Sequence, residues 1–402
     1  MLTRLAAAAM ALMLCTGARG APQTYALDVA DGGLSGPGAA VLHGAASNAQ
    51  FILFGEDHGF ADSPIILRAL AHDVRPLGFK RLIVEVGERS VKMVAATLAQ
   101  GGIGGVARIV HETPLGLPFL SLKEDNELIG DFLGHDAKGT PYLWGVDQEF
   151  IGSPPFHLKR LAEIAPNEAA RAEAQRLLAA EQDAAATGAQ QKFLLTVTTP
   201  AQFDALATLF KGQREAQSII ADLKESADIY QAWMQGHNYD NNSHRARLLA
   251  TNFLADYRAA AEPNPKFIFK MGIEHVALGT SPVNTVDLGT LATMIARANN
   301  RAALRIAFLP AGGHNLAFAP KPGNPTEVQA YDPKEWGDIF KVAGLDTTQL
   351  PARGWTLIPL EPIRQALDTN GIAKLKPESR FLLIGFDYLI TTPDAKAATF
   401  LY

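Results

Sequence analysis

Glu56 and His58 stand two residues apart in Phe51–Phe60, FILFGEDHGF, with Asp57 between them. A carboxylate beside an imidazole suits a water-activating general base: the carboxylate orients the ring and holds the charge it gains. Glu85, Asp147 and His275 recur further along, each just past an apolar run. Such oxygen and imidazole donors are also ligands that zinc or manganese accept, so general-base and divalent-metal chemistry both stay open.

The positioning elements follow from the pattern around these residues. Phe51–Phe54 is a short buried-strand run closed by Gly55, and Ser63-Pro64 caps and opens a helix over Ile65–Val74. Arg81–Val84 predicts a second strand ending on Glu85, with a helix from Arg89 to Gln100 after Gly87. The glycine- and proline-rich stretch 101–120 reads as a loop long enough to be a lid or binding wall. A helix over Ser121–Phe132 leads to a third strand, Pro141–Val146, ending on Asp147-Gln148-Glu149. Ligands in open α/β sheets bind beyond the carboxyl ends of the strands, so carboxylates at successive strand ends point to one site.

From Pro154 to His237 the pattern turns to alanine-, leucine-, glutamate- and lysine-rich helices with no strand. Asn238–Asn242 is a polar turn, and a helix from Ser243 carries Arg245 and Asn252. Lys266–Lys270 predicts a fourth strand, followed by Met271–His275. Further strands are expected at Arg305–Leu309, Trp355–Pro359 and Phe381–Gly385, with a short helix at Pro362–Gly371. The fold class is α/β: a mostly parallel central sheet flanked by helices, with a large helical insertion or cap. The expected division is 1–20 signal peptide, 21–153 first part of the core, 154–237 insertion, and 238–402 second part. Residues 21–48 show little periodicity and read as an irregular leading segment.

Arg4, the apolar run Leu5–Leu14 and the small-residue site Ala18-Arg19-Gly20 form a cleavable export signal, too short for a permanent anchor. A periplasmic or secreted chain beginning near Ala21, without stable membrane insertion, is expected. Cys15 is the only cysteine, and cleavage after Gly20 removes it, excluding disulfides and thiol nucleophiles. Leu14 before it lacks the small side chain a lipoprotein signal wants. Cleavage also lowers the basic residues from 36 to 34 against 41 acidic ones, and the net charge from −5 to −7. That argues against nucleic acid or an anionic membrane as partner and leaves a small-molecule substrate. There is no G-x-S-x-G elbow, no P-loop and no dinucleotide fingerprint. His111-Glu112 meets Leu115 where a zincin needs its second histidine, and Pro114 breaks the helix.

Taken in order, these segments resemble the erythromycin esterase-like superfamily, related to haem-binding uptake and Tiki-type proteins. That family opens with a strand and Gly-Glu-x-x-His-Gly, then a helix, a second strand and another glutamate. Gly55-Glu56-Asp57-His58-Gly59, one residue shorter, and Arg81–Glu85 stand in those places. Gly145-Val146-Asp147 matches its Gly-x-Asp segment, and Arg245–Asn252 its Arg-Asp-x-x-Met-Ala-x-Asn helix, with Ala246 at the aspartate. Met271–Val276 keeps the second histidine of His-Asn-x-His-Val, as His275. The resemblance implies a catalytic centre of Glu56, His58, Glu85 and His275, with an imidazole as base, and metal-independent or weakly metal-assisted hydrolysis.

Arg68, Asp147, Arg245 and Asn252 are the expected substrate-binding groups, and His314, in Ala311–Asn315, also follows a strand. Arg245 and Asn252 lie two helical turns apart on one face, and Arg68 is placed to pair with a carboxylate of the centre. The leading expectation is an exported hydrolase cleaving an ester, lactone or related bond with water activated by His58 or His275. No cofactor is expected on this reading. A divalent-metal hydrolase or protease on the same residues, or a periplasmic haem-binding protein clamping with a histidine and the glycine-rich loop, are the alternatives.

Overall fold

Eleven strands and their flanking helices are seen in a computed structural model that describes residues 22–321 and 324–402. The expected export signal, 1–20, lies outside the described residues. The strands are β1 Tyr25–Ala30, β2 Gly33–Ser35, β3 Ala49–Glu56, β4 Arg81–Gly87, β5 Leu143–Asp147 and β6 Phe267–Gly272. They continue with β7 Ala302–Phe308, β8 His314–Lys321, β9 Asn324–Ala330, β10 Trp355–Pro359 and β11 Tyr388–Thr391. Nine form one sheet in the order β2-β1-β10-β11-β7-β3-β6-β4-β5, and β8-β9 is a separate hairpin. From β11 to β5 all neighbours are parallel, while β10, β1 and β2 extend the sheet antiparallel.

Strands β3, β4 and β6 are buried along their whole length, which is why they read as nearly unbroken apolar runs. Their side chains alternate between two layers. Ile52, Phe54, Leu82, Val84 and Ile268 pack with Ile66, Leu67, Val91 and Leu128 of the helices Asp62–Val74, Glu88–Glu112 and Lys123–Gly130. Phe51, Leu53, Ile83, Phe267 and Phe269 pack with Leu249, Phe253, Leu288 and Ala292 of Asn238–Ala259 and Leu288–Ala298. This alternation decides which sheet face each functional side chain takes.

Helices Pro154–Glu163 through Arg214–Met234 gather around an apolar cluster of their own, including Leu158, Leu161, Phe203, Phe210 and Leu223. They attach to loops leaving the carboxyl ends of the sheet. Arg89 bonds Asp222 and Ser218, Ser226 Oγ accepts from the Glu149 amide (3.0 Å), and Tyr230 Oη from the Ile151 amide (3.1 Å).

Four local expectations change. Phe381–Gly385 closes a helix, Pro377–Gly385, and the strand is the next apolar run, Tyr388–Thr391. Periodicity cannot separate a short apolar run in a strand from one in a helix, and Pro377 in the first turn favours the helix. The expected loop 101–120 is largely helical: Glu88–Glu112 kinks at Gly102 (φ 59°, ψ −163°) and runs on because Val106 and Val110 are buried. Burial of that stripe overrides the low helix propensity of four glycines. Asn238–Asn242 is the first turn of the helix Asn238–Ala259 rather than a turn before it. Residues 21–48 hold β1, β2 and the helix Pro37–Ser47, and the hairpin β8-β9 was not foreseen.

Arg81, 1% exposed, pins the start of β4. Its guanidinium donates to Asp136 (2.5 Å), Glu262 (2.6 Å) and the Pro141 carbonyl (3.1 Å). Arg81→Met removes the cation that Asp136 and Glu262 share and leaves the Pro141 carbonyl without its donor, and is expected to lower stability. Urea unfolding measures this, and an unchanged midpoint contradicts it.

Candidate active site

Two chains of charge, one on each face of the sheet, meet at the carboxyl ends of β3, β4 and β6. On the first face Glu56, the last residue of β3, is 4% exposed. Lys270 lies opposite Phe54 and Val84 in the ladders, so its side chain emerges on the same face. Lys270 Nζ donates to Glu56 Oε1 at 2.6 Å and to Asp125 Oδ1 at 2.8 Å, and Ser63 Oγ donates to Glu56 Oε2. Burial pushes the Glu56 carboxyl up, but Lys270 and His58 outweigh it and hold it at about 2. Asp125 goes the other way: burial, opposed by Lys270, raises it to about 6.

His58 ends this chain. Its Nδ1 is 3.0 Å from Glu56 Oε1, and its ring lies 4.4 Å from the Phe119 ring at 30°. Its side chain is 37% exposed and lines a narrow cavity of about 10 Å³, room for about one water, with Glu85, Phe119, Asp125 and Lys270. With the Nδ1 proton donated to Glu56, the neutral ring keeps a lone pair on Nε2. Burial works against protonation here, but the Glu56 hydrogen bond and the charges of Glu85 and Glu56 raise the His58 pKa above its ordinary 6.5.

On the second face Glu85 is 5% exposed and heavily bonded. Arg245 Nη2 donates to Oε1 at 2.6 Å, His275 Nε2 lies 3.3 Å from the same oxygen, and the Gly272 amide donates to Oε2 at 2.5 Å. Arg245 also grips Asp147, through Nε at 3.0 Å and through Nη2. His275 Nδ1 lies 2.7 Å from Asp287 Oδ2. Burial penalises the Glu85 carboxylate, but His275 and Arg245 together hold its pKa well below the usual range. For His275 burial and Arg245 oppose the charge, yet Glu85 and Asp287 raise it to about 10. His275 is therefore an imidazolium at neutral pH.

The chains touch where His58 Nε2 comes within 3.8 Å of Glu85 Oε2. Gly272 makes the approach fit: a Cβ there would sit 3.1 Å from His58 Nε2 and 3.3 Å from Glu85 Oε2. Among the described residues no His, Cys, Asp and Glu side chains group as a metal centre requires. Lys270 occupies Glu56, Arg245 occupies Asp147, and Arg245 and His275 occupy Glu85. The donor set does not fit a metal, and the glycines that were to clamp a haem lie within the helix Glu88–Glu112.

No family model and no curated protein matches this sequence. Solved structures do match in fold. A histidine-to-asparagine mutant of the erythromycin esterase EreC, in its open conformation, aligns with a TM-score of 0.56 at 18% identity, over 90% of this chain and 95% of that one. The chain has an erythromycin esterase-like fold. A succinoglycan biosynthesis protein (TM-score 0.52, 12% identity) and a Bacillus cereus protein (0.50, 13%) align over 90% of this chain and 91% and 92% of theirs.

Within this erythromycin esterase-like fold, Glu56, His58, Glu85, His275, Asp147 and Arg245 converge. Three expected residues do not. Arg68 pairs at the surface with Asp131 (2.7 Å) and Glu127 (3.6 Å) instead. Asn252 donates to the Val146 carbonyl (2.9 Å), tying its helix to β5. His314 is exposed at the start of β8. Asp57 faces away from the cavity residues: Tyr331 Oη (2.6 Å) and Trp336 Nε1 (3.0 Å) both donate to it, fixing the His58 turn. The hairpin adds the Leu316 amide, which donates to the Gly59 carbonyl at 2.8 Å.

Lys270, Asp125 and Asp287 went unrecognised. A lysine within the apolar run Phe267–Met271 was the one legible signal, because a charge in a central strand needs a buried partner. Asp287 reads in sequence only as a helix cap, which it also is, accepting from the Leu288 amide.

The raised His275 pKa sets a pH dependence. Its contribution to stability is complete below 6.5 and lost as the pH rises through about 10. The gap in melting temperature between the wild type and His275→Gln should therefore shrink from pH 6 towards pH 10. A gap that stays constant across that range contradicts a charged His275.

Proposed function

We propose that this protein is a hydrolase of the erythromycin esterase type that cleaves an ester, lactone or related bond of a small molecule with water activated by His58. One observation carries the assignment of the base. Of the two imidazoles, only His58 combines an anchored Nδ1 with an Nε2 that carries no hydrogen bond shorter than the 3.8 Å approach to Glu85, and it lines the cavity. A water bonded to both His58 Nε2 and Glu85 Oε2, at about 2.8 Å from each, fits that span. His58 takes the proton, the hydroxide adds to the carbonyl carbon, and the imidazolium returns its proton to the leaving alkoxide. Glu56 offsets the charge His58 gains, and Phe119 holds the ring in plane. His275 and Arg245 act through Glu85, keeping it anionic beside the base. The erythromycin esterase-like fold supports the reaction class and leaves the substrate open. The same reading takes the chain as exported, soluble after cleavage near Ala21, and bound to no nucleic acid.

Chromogenic esters and macrolactones offered to the purified protein test this. His58→Ala should lower kcat about a thousandfold with the melting temperature nearly unchanged. Equal turnover by wild type and variant sinks the reading. The base works in its neutral form, so kcat/KM rises with pH through the His58 pKa, and its acid limb lies above 6.5. Glu56→Gln removes the negative charge of the group whose hydrogen bond most favours protonation, and the limb should move to lower pH. A limb that stays put contradicts the role of Glu56.

A further inference from the structure

A second cavity, of about 410 Å³, opens between the helical layer and the core and shares no lining residue with the cavity under His58. Its wall is mostly apolar, with Leu115, Pro155, Ala185, Phe193 and Tyr402, and that volume lies in the range of small-molecule sites. One lining group is out of place. Glu181, on the helix Glu168–Ala186, is 3% exposed in this apolar wall. Its Oε2 accepts from the Leu194 amide at 2.7 Å, and its Oε1 is buried with no hydrogen-bond partner among the described residues. Capping the Leu194 amide needs only one acceptor, which an amide or hydroxyl side chain supplies without a second oxygen to satisfy. A carboxyl kept here with one oxygen unmet is a standing cost to the fold, removed when the side chain turns that oxygen to a donor in the cavity it lines.

We infer that this cavity binds a small molecule with an apolar body and a protonated amine, the ammonium donating to Glu181. Charge selects the amine. Glu181 is buried in the wall, Glu112 at the wall is paired with Lys159 at 3.3 Å, and among the described residues no lysine or arginine lines the cavity, so nothing there holds a carboxylate ligand. Burial raises the empty Glu181 carboxyl to about 7, and an ammonium beside it favours the ionised form, giving a charge-assisted bond shielded from water. The remaining polar side chains of the wall include the uncharged Gln182 and Thr113. The inference is independent of the reaction assigned to His58.

Ligand-observed NMR with three naphthalene probes tests it on the whole protein: 1-naphthylmethylamine, 1-naphthylmethanol and 1-naphthaleneacetic acid. The amine should saturate the protein with an affinity about tenfold above the alcohol, and the acid should not bind. Glu181→Gln should bring amine and alcohol to the same affinity, and Ala185→Trp, which fills the cavity from a part-exposed helix position, should abolish both. Near-ultraviolet circular dichroism verifies that each variant is folded. Amine binding that persists in both variants, or no saturable binding of the amine to the wild type, overturns the inference. A destabilised Glu181→Gln leaves the Ala185→Trp comparison to decide.

Discussion

Glu85 is a carboxylate taken almost completely out of water at the end of a central strand, and the arrangement of the site follows from keeping it charged there. Removing such a group from solvent costs several kcal/mol unless cations and donors surround it. Arg245, His275 and the Gly272 amide do this together, and each is set by the sheet or a helix packed on it. His275 is bound on its other nitrogen by Asp287, which commits it to the imidazolium form. An imidazole committed in that way cannot accept a proton. The proposal of His58 as general base rests on this contrast: it touches Glu85 only at long range and takes its orientation from Glu56.

The same logic repeats on the opposite face with a lysine as the cation. Lys270 neutralises Glu56 and bridges it to Asp125, so Glu56 is ionised before it ever meets His58. An ionised Glu56 is what makes the Nδ1 proton stay where it is and leaves Nε2 facing the cavity. The two chains are kept on separate faces by strand alternation and come together only at the strand ends, through the gap left by Gly272. Sheet geometry and protonation state are thus one constraint here.

The strands β3, β4 and β6 and their acidic ends were legible because buried parallel strands leave apolar runs, and glycines punctuate them at Gly55 and Gly87. The convergence of Glu56, His58, Glu85 and His275 follows from the same rule. What stayed hidden depended on contacts far apart in sequence. Asp125 looks like an ordinary first-turn helix acid and Asp287 like an ordinary helix cap until the fold brings them to Lys270 and His275. Arg68 looked equally well placed, but its helix presents it to Asp131 at the surface. Phe381–Gly385 failed for a local reason, since four apolar residues in a row carry no period. Glycines at 101–105 misled because the valines behind them, 106 and 110, decide the helix through burial.

The order in which the two histidines titrate tests the account most directly. In protein labelled with nitrogen-15 at histidine, the ring shifts of His58 and His275, assigned through His58→Gln and His275→Gln, report both protonation and tautomer. The account predicts that, as the pH rises, His58 loses its proton first, to the tautomer protonated on Nδ1, while His275 remains doubly protonated up to about pH 10. A His275 that deprotonates before His58, or a neutral His58 carrying its proton on Nε2, contradicts it.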